Sequence, residues 1–154
     1  MSVVPNIFRY ISIYRALPGR EQIVLLGSLA LLPVFWLALR LAGLQRFQGW
    51  LDRVPVAQRE PLSHAEAAAL GVAVNRAANH VFGPVTCLTR SLLLRWLLRL
   101  YGMSSDLRFV VRLEGDGLLA HAWVEKDGIP LNDRPDVVER YAAFDQPVVP
   151  EMFA

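Results

Sequence analysis

The hydrophobic pattern of this chain changes its period at Gly102. Before that glycine, leucine-rich and alanine-rich segments follow the spacing of helices. After it, the apolar residues between Leu107 and Leu113 alternate with Arg108 and Arg112, which is typical of a strand with one buried face. The chain must therefore combine helices in its first two thirds with a sheet in its last third.

Two turn signals divide the last third into strands. The segment Glu114-Gly115-Asp116-Gly117 predicts a hairpin turn, and Asp127-Gly128 predicts a second tight turn. A strand from Leu118 to Lys126 lies between the two turns, and a short third strand from Ile129 to Leu131 follows the second turn. The sequence predicts an α+β fold in which helices pack on an antiparallel meander.

The helices have clear start and stop signals. Ser63 and Glu66 form a capping-box pattern, and the helix that follows continues to about His80. Thr86 is an N-cap signal for a further helix from Cys87 to Leu100, which Gly102 would end.

The N-terminal third is unusually apolar. We expect helix from Arg20 to Trp50, with no charge in the eighteen residues from Gln22 to Leu39. That length is close to the roughly 20 residues that span a bilayer, although Pro33 interrupts it. A buried helix, contact of residues 22–44 with a membrane surface, and a spanning helix all stay open. We divide the chain into an N-terminal apolar helical region, residues 1–55, and a second domain, residues 56–154.

Composition excludes several classes of function. Of 154 residues, 54% are hydrophobic, which is enough for a folded core. The net charge is +2 and the arginines are spread along the chain, so we expect no nucleic-acid partner. One cysteine and three scattered histidines lack zinc-ligand spacing, so neither a metal nor a cofactor is predicted. The single cysteine also excludes an intrachain disulfide and indicates the reducing cytoplasm.

That cysteine, Cys87, stands at the start of a predicted helix. A lone cysteine is more often a small buried hydrophobe than a nucleophile. The start of a helix, however, carries a partial positive charge and free N–H groups, which stabilise a thiolate and a developing oxyanion. The position therefore favours a nucleophile.

A histidine and an aspartate on the meander complete a candidate triad. His121 shares a strand face with Trp123, which we expect to form a wall of the substrate cleft. Asp133 follows His121 by twelve residues, across the Asp127-Gly128 turn, where it could orient the imidazole. A helix-start cysteine, a strand histidine and an aspartate on the next strand suit papain-like acyl transfer. The alternatives to Asp133 are Asp127, Asn132 and Asp136.

Two segments resemble the lasso-peptide leader peptidases, the B-protein proteases of the transglutaminase-like superfamily. They are Cys87 to Leu98, which reads CLTRSLLLRWLL, and Ala120 to Glu125, which reads AHAWVE, with Leu131-Asn132-Asp133 beyond. The resemblance covers roughly residues 60–145. It implies that residues 56–154 form a transglutaminase-like cysteine protease domain in which Cys87, His121 and Asp133 are catalytic.

The resemblance also implies a pathway and partners. The substrate would be a ribosomally made precursor peptide with its leader. A cyclase similar to asparagine synthetase would then close the lasso ring. Because residues 1–55 read as apolar helix and leave little room for a leader-binding domain, we expect a separate leader-binding protein. An enzyme peripheral to the inner membrane, an amide transferase and a non-catalytic peptide-binding scaffold of the same fold are the alternatives.

Overall fold

The computed structural model describes residues 11–81, 83–114 and 117–141. The main elements are four helices and three strands: α1 Gly19–Asp52, α2 His64–Ala78, α3 Cys87–Leu100, β1 Asp106–Glu114, β2 Gly117–Lys126, β3 Ile129–Pro130 and α4 Val137–Tyr141. The strands form an antiparallel sheet in the order β1-β2-β3. The predicted α+β class is confirmed.

Helix α1 has one buried face and one exposed face. Gly43, with φ of 77°, divides the helix into two helical segments. The buried face packs on α2 and α3 and consists of Val24, Ser28, Leu32, Phe35, Phe47 and Leu51. The predicted helix from Arg20 to Trp50 is confirmed, whereas the domain boundary near residue 55 stays a prediction.

The opposite face of α1 is also apolar. By length and composition alone α1 could cross a bilayer, with a mean hydropathy of 2.1 in its most apolar window, a property that signal sequences and core helices share. Because one face is covered by α2 and α3, only the other remains for contact with anything else. We call this exposed row the apolar stripe: Ile23, Leu26, Val34, Leu37 and Leu41.

Helix α2 begins with the predicted capping box. The backbone N–H of Glu66 donates to Ser63 Oγ, and the Glu66 carboxylate accepts from the Ser63 backbone N–H at 2.9 Å. Further along, Gly71 lies against the chain that follows β3. A Cβ built on Gly71 would lie 2.2 Å from the Leu131 carbonyl oxygen, so only glycine allows this approach.

Helix α3 has the predicted bounds. Thr86 Oγ1 accepts from the backbone N–H of Thr89, which is the expected N-cap. Gly102 follows the helix with φ of 80°, a conformation that glycine adopts without strain. Through Leu92, Leu93, Leu94 and Leu98, all fully buried, α3 forms the centre of the main core.

The sheet differs from the prediction of one buried face. Leu107 and Val124 pack toward α3, as expected. On the other face, however, Val110 and Trp123 form a second core with Val137 of α4. Helix α4 covers part of this face, and its five residues gave no sequence signal.

The structure describes the second predicted turn of the meander in full and the first only in part. At the second turn, Asp127 and Gly128 have φ of 51° and 79°, and positive φ at both positions matches the tight hairpin turn that this dipeptide predicts. The tip of the first, Gly115-Asp116, lies outside the described residues, although Glu114 pairs with Gly117 at its base.

Candidate active site

An open groove of about 590 Å³ runs between α2, the start of α3 and the segment after β3. The structure brings Cys87, His121 and Asp133 together along this groove. The other lining residues are Ala68, Val72, Asn75, Arg90, Ala122, Pro130, Leu131, Asn132, Arg134 and Pro135. Three residues far apart in sequence therefore share one solvent-accessible site.

Cys87 is the first residue of α3 and is half-buried. At this position its backbone N–H has no carbonyl one turn earlier within the helix to bind. The N-terminal end of the helix also carries a partial positive charge. The fold thus supplies, at the thiol itself, a donor for an oxyanion and a favourable field for a thiolate.

His121 is bound to Asp133. The distance from His121 Nε2 to Asp133 Oδ2 is 2.5 Å, and both side chains are about four fifths buried. The second oxygen of Asp133 accepts the backbone N–H of Arg134 at 2.7 Å, which fixes the carboxylate. An Nε2–H that donates to Asp133 leaves Nδ1 of the imidazole as the nitrogen able to take a proton.

The other candidate carboxylates pair elsewhere. Asp127 lies 3.5 Å from Lys126 Nζ, and Asp136 lies 3.8 Å from Arg140 Nε. Among the described residues, no group of three or more His, Cys, Asp or Glu side chains is placed to hold a metal ion. Asp133 is therefore the carboxylate that the fold sets against the histidine.

Asn132, another alternative for the third position, points into the protein. Its Oδ1 accepts the backbone N–H of Val124 at 2.8 Å, and its Nδ2 donates to Ser91 Oγ at 3.0 Å. Ser91 in turn donates to the Ala122 carbonyl at 3.1 Å. Asn132 thus ties α3 to β2 and fixes the segment that carries Asp133. Ser91 was not predicted from sequence, although a serine four residues after Cys87 in a leucine run is a signal for it.

Trp123 does not form a wall of the cleft, contrary to the sequence prediction. It is fully buried and does not line the groove. It shares a face with His121, as the alternation predicted, but its ring packs into the second core. The aromatic contact of the histidine is Tyr141 of α4, which stacks on it with ring centroids 4.9 Å apart. Trp123 packs next to both rings, with its ring centroid 6.0 Å from that of His121 and 6.4 Å from that of Tyr141.

A model of one known protein family matches this chain. The model described as the transglutaminase-like superfamily matches residues 29–144, which is most of the chain and includes Cys87, His121 and Asp133. The searches of curated proteins and of solved structures gave no match. The superfamily includes cysteine peptidases and transferases. On the length of this match, the chain belongs to the transglutaminase-like superfamily.

Proposed function

We propose that this protein is a cysteine peptidase that removes the leader from a ribosomally synthesised precursor during lasso-peptide maturation. The observation that carries the peptidase part is the hydrogen bond from His121 Nε2 to Asp133, in the groove that also holds Cys87. The assignment to lasso-peptide maturation rests on the resemblance of two segments, Cys87 to Leu98 and Ala120 to Glu125, to the lasso-peptide leader peptidases. These segments meet in the fold, because Ser91 of the first donates to the Ala122 carbonyl of the second.

The first half of the reaction forms an acyl-enzyme. His121 Nδ1 takes the thiol proton of Cys87, and the thiolate attacks the carbonyl carbon at the end of the leader. The backbone N–H of Cys87 binds the oxyanion. When the tetrahedral intermediate collapses, the C–N bond breaks and the imidazolium protonates the leaving amine of the core peptide. Asp133 stabilises the imidazolium throughout.

The second half releases the leader. His121 takes a proton from water, and the hydroxide attacks the thioester carbonyl; the C–S bond breaks, the Cys87 thiolate is regenerated, and the leader departs as a carboxylic acid. A transferase would use the same residues with an amine in place of water. The two outcomes differ in the mass of the leader fragment.

The partners follow from the same proposal. A separate leader-binding protein would deliver the precursor, and an asparagine-synthetase-like cyclase would use the freed amine. The apolar stripe is the surface that we assign to the leader-binding protein, because a row of exposed apolar side chains usually marks an interaction site. We assign the protein to the cytoplasm, where a free thiol stays reduced.

The test is mass spectrometry of candidate precursor peptides incubated with the protein and its partners. The wild-type protein should give two fragments whose masses sum to the precursor plus one water. Cys87→Ala should give none while keeping its circular dichroism spectrum. Cleavage by Cys87→Ala at the wild-type rate would overturn the cysteine-peptidase assignment, and a leader fragment that carries an amine would assign a transferase instead.

A simpler measurement needs no substrate. Because Cys87 is the only cysteine, the mass shift on alkylation reports that residue alone. Iodoacetamide should modify Cys87 at neutral pH, and His121→Ala should slow the reaction. His80→Ala is the matched control, because His80 is exposed and does not line the groove. A thiol that resists alkylation would favour a non-catalytic scaffold.

A further inference from the structure

Arg90 lies one turn after the nucleophile on α3. Residues three apart on a helix share a face, and Cys87 and Arg90 both line the groove. A guanidinium is charged at every pH at which the enzyme would work. The sequence interpretation gave Arg90 no role, so its charge beside the thiol needs an explanation.

Unlike the other arginines of α3, Arg90 has no hydrogen-bond or ion-pair partner among the described residues. Arg95 forms an ion pair with Asp52 at 2.8 Å, and Arg99 donates to the carbonyl of Val54 at 2.7 Å. Within the described ranges, no carboxylate or carbonyl accepts a hydrogen bond from the Arg90 side chain, and its Nε is buried without a partner. A guanidinium that lines the groove and has no acceptor is available to bind one from a ligand.

The groove offers Arg90 no acidic partner of its own. Asp133 is the carboxylate among the lining residues; its oxygens accept from His121 and from the backbone N–H of Arg134, and no ion pair joins it to Arg90. The amide of Asn75, also in the groove, donates to the Asn132 carbonyl. Among the described residues none supplies an anion to Arg90, and a carboxylate of a substrate bound in the groove would do so.

We propose that Arg90 binds a carboxylate of the substrate peptide close to the scissile bond, and so selects substrates with an acidic side chain there. This inference rests on the proposed function, since it assigns a specificity residue to the same groove. A planar guanidinium binds a carboxylate with two parallel hydrogen bonds, a geometry that an ammonium group does not reproduce. Arg90 thus contributes to recognition and takes no part in proton transfer.

The test compares two alkylating reagents of similar size and different charge at Cys87. For each protein, the rate with iodoacetate is divided by the rate with iodoacetamide, and the ratio is normalised to that of free cysteine at the same pH and low salt. The normalised ratio of the wild-type protein should be about ten, because a hydrogen-bonded ion pair and a neutral hydrogen bond differ in affinity by about tenfold. Arg90→Gln should bring the ratio close to one, and Arg90→Lys should recover it only in part.

Arg46→Gln is the matched control, because it removes the same charge from an exposed position of α1 that does not line the groove. Its ratio should stay at the wild-type value. A wild-type ratio near one, or a ratio that falls equally in both glutamine variants, would overturn the role of Arg90 and leave the reactive thiol intact. Failure of both reagents to modify Cys87 would overturn the proposed function, and this inference with it.

A second measurement uses the wild-type protein alone and does not depend on a variant that folds. N-acetyl-glutamate and N-acetyl-glutamine differ in one charged group on the side chain. With both blocked as C-terminal amides, the glutamate compound should protect Cys87 from iodoacetamide at about tenfold lower concentration. Equal protection by the two compounds would contradict the proposal.

Discussion

The imidazole of His121 lies 2.5 Å from the carboxylate of Asp133, and the bond uses Nε2. The two residues are twelve apart in sequence, and the turn at Asp127-Gly128 brings them together. Because Nε2 is occupied, the nitrogen available to the thiol is Nδ1. The hairpin thus brings the carboxylate to the histidine, and the orientation of the ring leaves Nδ1 as the nitrogen that can act as the base.

Replacing Asp133 should impair catalysis through the histidine. Asp133→Asn should lower kcat by about 10²-fold, because an amide neither fixes the Nε2–H tautomer nor stabilises the imidazolium as well as a carboxylate does. His121→Ala should lower kcat further, toward about 10⁴-fold, since it removes the base itself. Both values come from single-turnover cleavage of a precursor peptide.

The neighbouring aspartates provide the controls for that comparison. Asp127→Asn and Asp136→Asn remove carboxylates that pair with Lys126 and Arg140, and both should retain nearly full activity. The assignment of the third residue would be wrong if Asp133→Asn left kcat unchanged and either of the other two variants lowered it by about 10²-fold.

Gly71 should be intolerant of any side chain. Gly71→Ala would place a Cβ 2.2 Å from the Leu131 carbonyl, so the segment that carries Asp133 would have to move. Such overpacking lowers the free energy of unfolding by about 1–3 kcal/mol, and the displaced carboxylate should also slow alkylation of Cys87. Urea denaturation and alkylation kinetics would measure the two effects.

Gly49 is the matched control for Gly71. It also lies within a helix, but nothing lies within 4 Å of a Cβ built there. Gly49→Ala should raise the free energy of unfolding by about 0.5–1 kcal/mol, the ordinary gain from replacing a helical glycine. Equal behaviour of the two variants would show that the contact with Leu131 does not constrain the fold.

The capping box of α2 should make stability depend on pH in acid. The backbone N–H of Ser63 and the guanidinium of Arg20 lower the pKa of Glu66 from 4.5 to about 2. A depressed carboxyl pKa stabilises the folded state above the unfolded pKa of 4.5, and this contribution is lost as pH falls through about 2. Glu66→Gln should therefore be less stable than wild type near neutral pH, and the difference should shrink toward pH 2.

Urea denaturation of both proteins across that pH range would measure the effect. Glu60→Gln is the control, because Glu60 is exposed and no described residue forms a hydrogen bond or an ion pair with it. Its difference from wild type should stay small and constant. A difference for Glu66→Gln that did not change with pH would mean that the donors on Ser63 and Arg20 do not hold the carboxylate.

Much of the local structure could be predicted because it depends on short-range chemistry. The N-cap at Thr86, the capping box at Ser63 and the turn at Asp127 each require only neighbouring residues. The preference for Asp133 over Asn132 also followed the pairing of strands across that turn. The hairpin does bring Asp133 to the histidine, but β3 ends at Pro130, so Asp133 lies in a bend beyond the strand and not on the next strand as expected, and Asn132 beside it turns inward.

What the sequence could not predict depends on elements far away in the chain. Trp123 was expected in the cleft because it shares a face with His121, but Val137 of the short helix α4 packs over that face and buries it. The role of Ser91 depends on Asn132, forty-one residues later. Hydrophobic periodicity reports which residues are buried and gives no information on what buries them.

The apolar stripe supports a prediction about partners. Its five residues are spaced so that they lie on one side of α1, and Leu41 and Ile23 are the most exposed, at 77% and 68%. Replacing Ile23, Leu37 and Leu41 together by glutamine should leave folding and alkylation of Cys87 unchanged, because the buried face of α1 is untouched. Cleavage that depends on the leader-binding protein should fall, with the loss appearing as a raised KM for the complex.

Ile129→Gln is the control for the stripe, since Ile129 is 52% exposed and lies at the start of β3, on a different element. Pull-down of the leader-binding protein should fail with the triple variant and succeed with the control. Flotation with anionic phospholipid vesicles tests whether the stripe contacts a membrane instead of a protein. If the wild-type protein floats, the triple variant does not, and both cleave equally well with the partner, the stripe contacts membrane and the assignment to a protein is wrong. Equal pull-down, flotation and cleavage in all three proteins would mean that the stripe binds neither.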